Sequence, residues 1–310
     1  MLDLQIAALL KAAQEDNAPD FSDLTPGDAR AALNQIQAQL QAPAADVETR
    51  DVKIEVPNGT IPLRIYSPRT DGVKPVLLYF HGGGFVLGGI DTFEGVTSNL
   101  AEKTGCIVVA VGYRLAPEHK FPTAVEDSYA TLKWVAENAS DMNGDPDKIA
   151  VIGESAGGNL AAVCALLARD NDGPAIKLQV LIYPTTAPNP AGFSSYEQHG
   201  EGYLLTKRSM EYFRGHYFVN TEITDDYRAA PLLAEDLSNL PPAMMIVAKY
   251  DPLRDEGLAY AQRLTEAGTH VVLTEYLGMT HAFFTLTRAV DAAVQAMDQV
   301  ASAVRQAMAR

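Results

Sequence analysis

The chain has 310 residues, 47% hydrophobic and 20% charged, enough apolar material for one large α/β domain or two modest ones. Its formal net charge of -15 argues against nucleic acid or any other polyanion as a partner, because such binders need clustered Lys and Arg to replace phosphate counterions. Cys106 and Cys164 lie far apart with no disulfide or zinc-ligand spacing, and no H-E-x-x-H or Cys/His cluster is present, so no metal is expected.

In chain order, the opening MLDLQIAALLKAAQEDNAPD lacks a basic leader and a small-residue cleavage site, and its apolar residues follow helical spacing. No apolar run approaches the roughly 18 residues of a membrane span. The expected location is the cytoplasm, with no membrane partner, as a monomer or homodimer. Strands are expected at DVKIEV, PLRIYS, PVLLYF, CIVVAV, KIAVIG, LQVLIY, AMMIVAK and HVVLTEY. Asn58-Gly59 between the first two is a hairpin signal, so the sheet should begin antiparallel. Helical patterns at 93–103, 123–139, 157–170, 254–267 and 282–308 call for parallel crossovers among the later strands. The expectation is a single α/β domain over residues 1–310, with an eight-stranded, mostly parallel sheet and helices on both faces. Residues 1–45 and 186–222 fall outside the alternation and are expected to form a helical cap over the carboxyl ends of the strands, where ligands bind in such sheets.

Gly153-Glu154-Ser155-Ala156-Gly157 stands between a β-rich run and an Ala/Leu-rich helix. A serine at such a turn takes strained backbone angles, and the positions two before and two after must be small because the chain nearly touches its neighbours. Ser155 is therefore the expected nucleophile. His81-Gly82-Gly83-Gly84-Phe85 ends PVLLYF, and successive glycines let backbone N–H groups face a cavity without Cβ atoms in the way. Gly83 and Gly84, with Ala156 after the serine, are the expected oxyanion donors. The loop matches neither G-x-x-x-x-G-K-[ST] nor G-x-G-x-x-G, which disfavours phosphate binding.

Of six histidines, His281 fits best: it lies just after the last strand, at its carboxyl end, where it would open the final helix and hang over the nucleophile. His81 better suits loop organisation, His270 enters its strand from the wrong end, and His119, His199 and His216 have no strand-end setting. Asp251 directly follows AMMIVAKY and gives the chain order Ser, Asp, His. Its neighbours Asp255 and Glu256 fit better as acids in the first turn of a helix.

HGGGF (81–85), YRLAPE (113–118), GESAGGNL (153–160), DPLRDE (251–256) and GMTHAF (278–283) together resemble the hormone-sensitive-lipase family of esterases, bacterial family IV, of the α/β-hydrolase superfamily. The resemblance runs from about residue 50 to the end. It implies a cofactor-free serine carboxylesterase for short to medium acyl esters, with Ser155, Asp251 and His281 as triad, Gly83, Gly84 and Ala156 as oxyanion donors, and a cap of the kind described. Glu154 departs from the family's usual Asp. Phe85, Val86, Leu204, Phe213 and Leu253 are the expected pocket residues. Cleavage of amides, or a receptor that has lost catalysis, are the rival readings; the receptor predicts a missing triad member, and none is missing.

Overall fold

The computed structural model of the protein describes residues 1–189, 192–220 and 225–309. Eight strands among them form one sheet: β1 (Glu48–Val56), β2 (Gly59–Ser67), β3 (Lys74–Phe80), β4 (Ile107–Val111), β5 (Gly144–Glu154), β6 (Leu178–Ile182), β7 (Ala243–Tyr250) and β8 (Val271–Thr280). Their spatial order is β1-β2-β4-β3-β5-β6-β7-β8. β2 pairs antiparallel with both β1 and β4, and every other pairing is parallel. The α/β-hydrolase expectation for the sheet is met.

The central strands are apolar on both faces because both are covered. Val76, Leu78 and Phe80 of β3 point into one core with Leu132, Leu160 and Tyr260, which belong to α4 (Thr123–Asn138), α5 (Ala156–Asp170) and α8 (Arg254–Glu266). Leu77 and Tyr79 point the other way, onto Ile6 of α1 (Leu4–Glu15), Leu100 of α3 (Glu94–Thr104) and Met297 of α9 (Asp291–Met308). Among the described residues, no helix is long and apolar enough to cross a membrane.

The hairpin expected at Asn58-Gly59 forms, with Asn58 at a positive φ of 61°. Some boundaries differ from expectation. β8 continues past residue 276 to Thr280, with a register shift against β7 between Ala248 and Tyr250. The final helix starts at Asp291, not at 282. Ala282 is left-handed (φ 66°) and a single 3-10 turn follows at Phe283–Thr285. Consecutive side chains on an α-helix diverge by roughly 100°, and this tight turn instead buries Phe283 and Phe284 together.

The segments expected as cap supply α1, α2 (Pro26–Leu40), α6 (Ser194–His199) and α7 (Lys207–Tyr217). Residues 20–23 meet the segment 206–213: the rings of Phe21 and Phe213 are 6.4 Å apart, Asp20 accepts the Ser209 hydroxyl at 2.9 Å and also that of Thr206, and Arg208 pairs with Asp23. α1 stands apart, beside β8, where the Asp3 amide donates to the Gly278 carbonyl. Residues 190, 191, 221 and 222 of the expected cap lie outside the described residues.

Candidate active site

β5 ends in a turn so tight that its side chains are dictated. A Cβ at Gly153 would stand 2.1 Å from the Gly157 carbonyl oxygen, and one at Gly157 would stand 2.0 Å from that of Phe80. Between them Ser155 sits at φ 57°, ψ -118°, a strained conformation held because its amide donates to the Ile182 carbonyl of β6 at 2.9 Å. Ser155 thereby stands at the mouth of α5, whose first-turn amides have no intrahelical acceptor.

β7 and β8 deliver the other two groups. Asp251 follows the last residue of β7 and is fully buried, one carboxylate oxygen accepting the Leu253 amide at 2.8 Å. His281 follows the last residue of β8. Its Nδ1 lies 2.7 Å from Asp251 Oδ2 and its Nε2 lies 2.9 Å from Ser155 Oγ. The imidazole therefore connects the carboxylate to the hydroxyl, and Tyr183, centred 4.7 Å away, packs beside its ring.

The glycine loop runs next to the serine. Gly83 and Gly84 have φ of 108° and 62°, and a Cβ on Gly84 would enter the Phe213 ring, 2.3 Å from its nearest atom. Gly83, Gly84, Ser155, Ala156 and His281 border one cavity of about 370 Å³. His81 is stacked on Tyr113, with centroids 4.2 Å apart, and its Nδ1–H donates to the Gly82 carbonyl at 2.7 Å. Burial pushes its pKa down to about 4, so it is a neutral brace for the loop. His270, by contrast, is exposed at the opposite end of β8.

Phe85, Leu204, Phe213 and Leu253 line the cavity, and Val86 does not. Gly84 and Phe85 both have positive φ, which turns the chain so that Val86 is fully buried in the core. Its carbonyl accepts the Arg30 Nε–H at 2.8 Å, and the same guanidinium forks onto Glu118 of the YRLAPE segment.

Several bordering residues were not anticipated. Tyr183, Phe21, Leu33 and Gln37 belong to the wall. Phe21 is the one aromatic residue among residues 1–45, a signal available in the sequence. Glu154 and Glu256 are both buried acids of the site's framework. Glu154 accepts the Gly82 amide at 2.6 Å and the Tyr79 hydroxyl at 3.1 Å, and burial pushes its carboxyl up to about 8. Glu256 does lie in the first turn of α8, but its carboxylate turns inward to accept the Thr186 amide at 2.5 Å, the Ala187 amide at 3.2 Å and the Tyr196 hydroxyl. That links the loop after β6, α6 and the start of α8.

A family profile described as the α/β-hydrolase fold matches residues 77–285. The chain is 42% identical over 288 residues to the carboxylic ester hydrolase LipN of Mycobacterium tuberculosis, covering 91% of this chain and 76% of that one. It is 38% identical over 300 residues to an arylesterase of Saccharolobus solfataricus, covering 91% and 92%. Among solved structures, an α/β-hydrolase enzyme from the metagenome of Lake Arreo, Spain, superposes with a TM-score of 0.95 at 36% identity, over 100% of this chain and 99% of that one. The chain belongs to the α/β-hydrolase fold family.

Proposed function

We propose that Ser155, His281 and Asp251 carry out ester hydrolysis through an acyl-enzyme. The chain is a carboxylic ester hydrolase, like the LipN and arylesterase to which it is similar. The observation that carries the mechanism is the unbroken contact from Asp251 through both nitrogens of His281 to Ser155 Oγ, at 2.7 and 2.9 Å, beside a glycine loop.

Ser155 Oγ attacks the acyl carbon while His281 Nε2 takes its proton, and Asp251 holds the other ring nitrogen protonated. The amides of Gly83, Gly84 and Ala156 receive the oxyanion. Collapse of the tetrahedral species expels the alcohol, which takes the proton from Nε2. Water then attacks the acyl-serine by the same proton path, freeing the acid and restoring Ser155.

A cavity of about 370 Å³ is near the lower end for small-molecule sites, roughly 300–1,000 Å³. Its aromatic and aliphatic wall and the cap residues Phe21 and Phe213 across it support short to medium acyl chains. A series of p-nitrophenyl esters from acetate to laurate tests this, with the matching anilides run alongside. Ser155→Ala should lose at least about a thousandfold in kcat, and rates should fall at the long-chain end. Undiminished hydrolysis by Ser155→Ala, or a serine-reactive phosphonate attached to another residue, overturns the assignment.

A further inference from the structure

The end of α2 is sewn to the loop that carries His281. The Gln37 side chain, 4% exposed, donates from Nε2 to Thr285 Oγ1 at 3.1 Å, and Thr285 donates its own proton to the Ala282 carbonyl at 3.1 Å. Gln37 Oε1 in turn accepts Gln41 Nε2 at 2.7 Å, while Gln41 Oε1 accepts the Val96 amide at 3.2 Å and its Nε2 also reaches the Thr92 carbonyl. Two further bonds run parallel: the Arg288 amide to the Leu40 carbonyl, and the Ala42 amide to Thr287 Oγ1, both at 2.9 Å.

The residue this chain reaches, Ala282, is left-handed without being glycine. Such a conformation persists only where the surroundings over-determine it. Ala282 directly follows His281, so bonds from Thr285 Oγ1 and the Thr285 amide to its carbonyl restrain the backbone on the far side of the histidine. Every polar atom in the relay has a directional partner, which is what a buried polar chain needs in order to hold one geometry rather than several.

We propose that Gln37 is a positioning residue for His281, acting through Thr285 and Ala282, so that the amino-terminal segment belongs to the catalytic apparatus as well as covering it. The inference rests on the serine-esterase reading above. A positioning role predicts a loss in kcat; a wall role predicts a change in KM; a purely structural role predicts a change in stability alone.

The experiment compares Gln37→Met, Thr285→Val, their double variant and Thr285→Ser, assayed on p-nitrophenyl butyrate well below each variant's Tm. The rate of Ser155 labelling by a serine-reactive phosphonate is followed in parallel. Gln37→Met keeps length and loses the amide, and should lower kcat and the labelling rate together by about ten- to a hundredfold, with KM little changed. Thr285→Val should do the same, and Thr285→Ser, which keeps the hydroxyl, should recover most of the loss. The double variant should be no worse than Thr285→Val, because both act through one contact. Unchanged kcat and labelling, a change confined to KM, or full additivity in the double variant each overturns the proposal. Phosphonate on a residue other than Ser155 in the unaltered chain overturns the underlying reading instead, whatever Gln37 does.

Discussion

The Glu154 carboxyl accepts the Gly82 amide at 2.6 Å, so the residue before Ser155 grips the residue before the Gly83–Gly84 pair. One oxygen also receives the Tyr79 hydroxyl, which ties nucleophile turn and glycine loop to the interior of β3. A Cβ at Gly82 would lie 1.8 Å from Glu154 Oε2, so this approach requires glycine there. Glu154→Gln keeps a carbonyl acceptor and should retain kcat within about threefold. Glu154→Leu strands two buried donors and should cost about 1–3 kcal/mol for each. Urea unfolding and steady-state kinetics on the pair check both statements.

Burial raises the Glu154 carboxyl to about 8 and Glu256 to about 7, both from the ordinary 4.5. Between 4.5 and those values the folded chain holds protons that the unfolded chain has released, so each group makes stability fall as pH rises. His81 works the other way: depressed from 6.5 to about 4, it makes stability rise with pH over that interval. Above pH 6.5 His81 no longer contributes, leaving the two acids unopposed. The urea midpoint should therefore decline from about pH 6.5 to 8, and Glu154→Gln should flatten part of that decline. A midpoint that rises over this range contradicts the assignment.

Gly84→Ala meets two obstacles, a φ of 62° and the Phe213 ring 2.3 Å from the new Cβ. Displacement of one oxyanion donor should lower kcat by about 10²–10³. Adding Phe213→Ala removes the clash but not the backbone strain, so the double variant should recover only part of the rate. Full recovery would show that φ at this position is immaterial.

Asp20 joins residues 20–22 to the start of α7 by accepting from the Ser209 and Thr206 hydroxyls. Asp20→Ala should loosen the pairing of Phe21 with Phe213, raise KM for p-nitrophenyl esters several-fold and leave kcat nearly unchanged. Limited proteolysis should show faster cutting near α7 (Lys207–Tyr217) in the variant. A fall in kcat without a change in KM counts against this division of labour.

Ser155, Asp251 and His281 were legible because each lies within a few residues of the end of a β-type run, and chain order with strand direction places all three at one end of the sheet. Gly83 and Gly84 were legible because a run of glycines after a strand has few other uses. The register shift between β7 and β8 was not, since it depends on pairing between strands rather than on either one alone. Nor was the late start of α9: the apolar spacing of AFFTL suits a helix, and only the left-handed Ala282 and the joint burial of Phe283 and Phe284 exclude it. Val86 looks like a pocket residue beside Phe85, and the two positive φ values that turn it inward leave no trace at Phe85 itself. Gln37 reads as one of several polar residues in QIQAQLQA, and its burial is decided by a partner 248 positions away.

That separation bears on how the enzyme is born. Asp20 waits for residues near 206–209, and Gln37 for Thr285, so segments far apart in the sequence must be present together before the cavity can close. Loops of this length form late and slowly. During synthesis Asp20 and Gln37 emerge well before the residues that bind them, and Ser155 emerges 126 residues ahead of His281. A nascent chain thus carries its serine before it carries the histidine proposed to activate it.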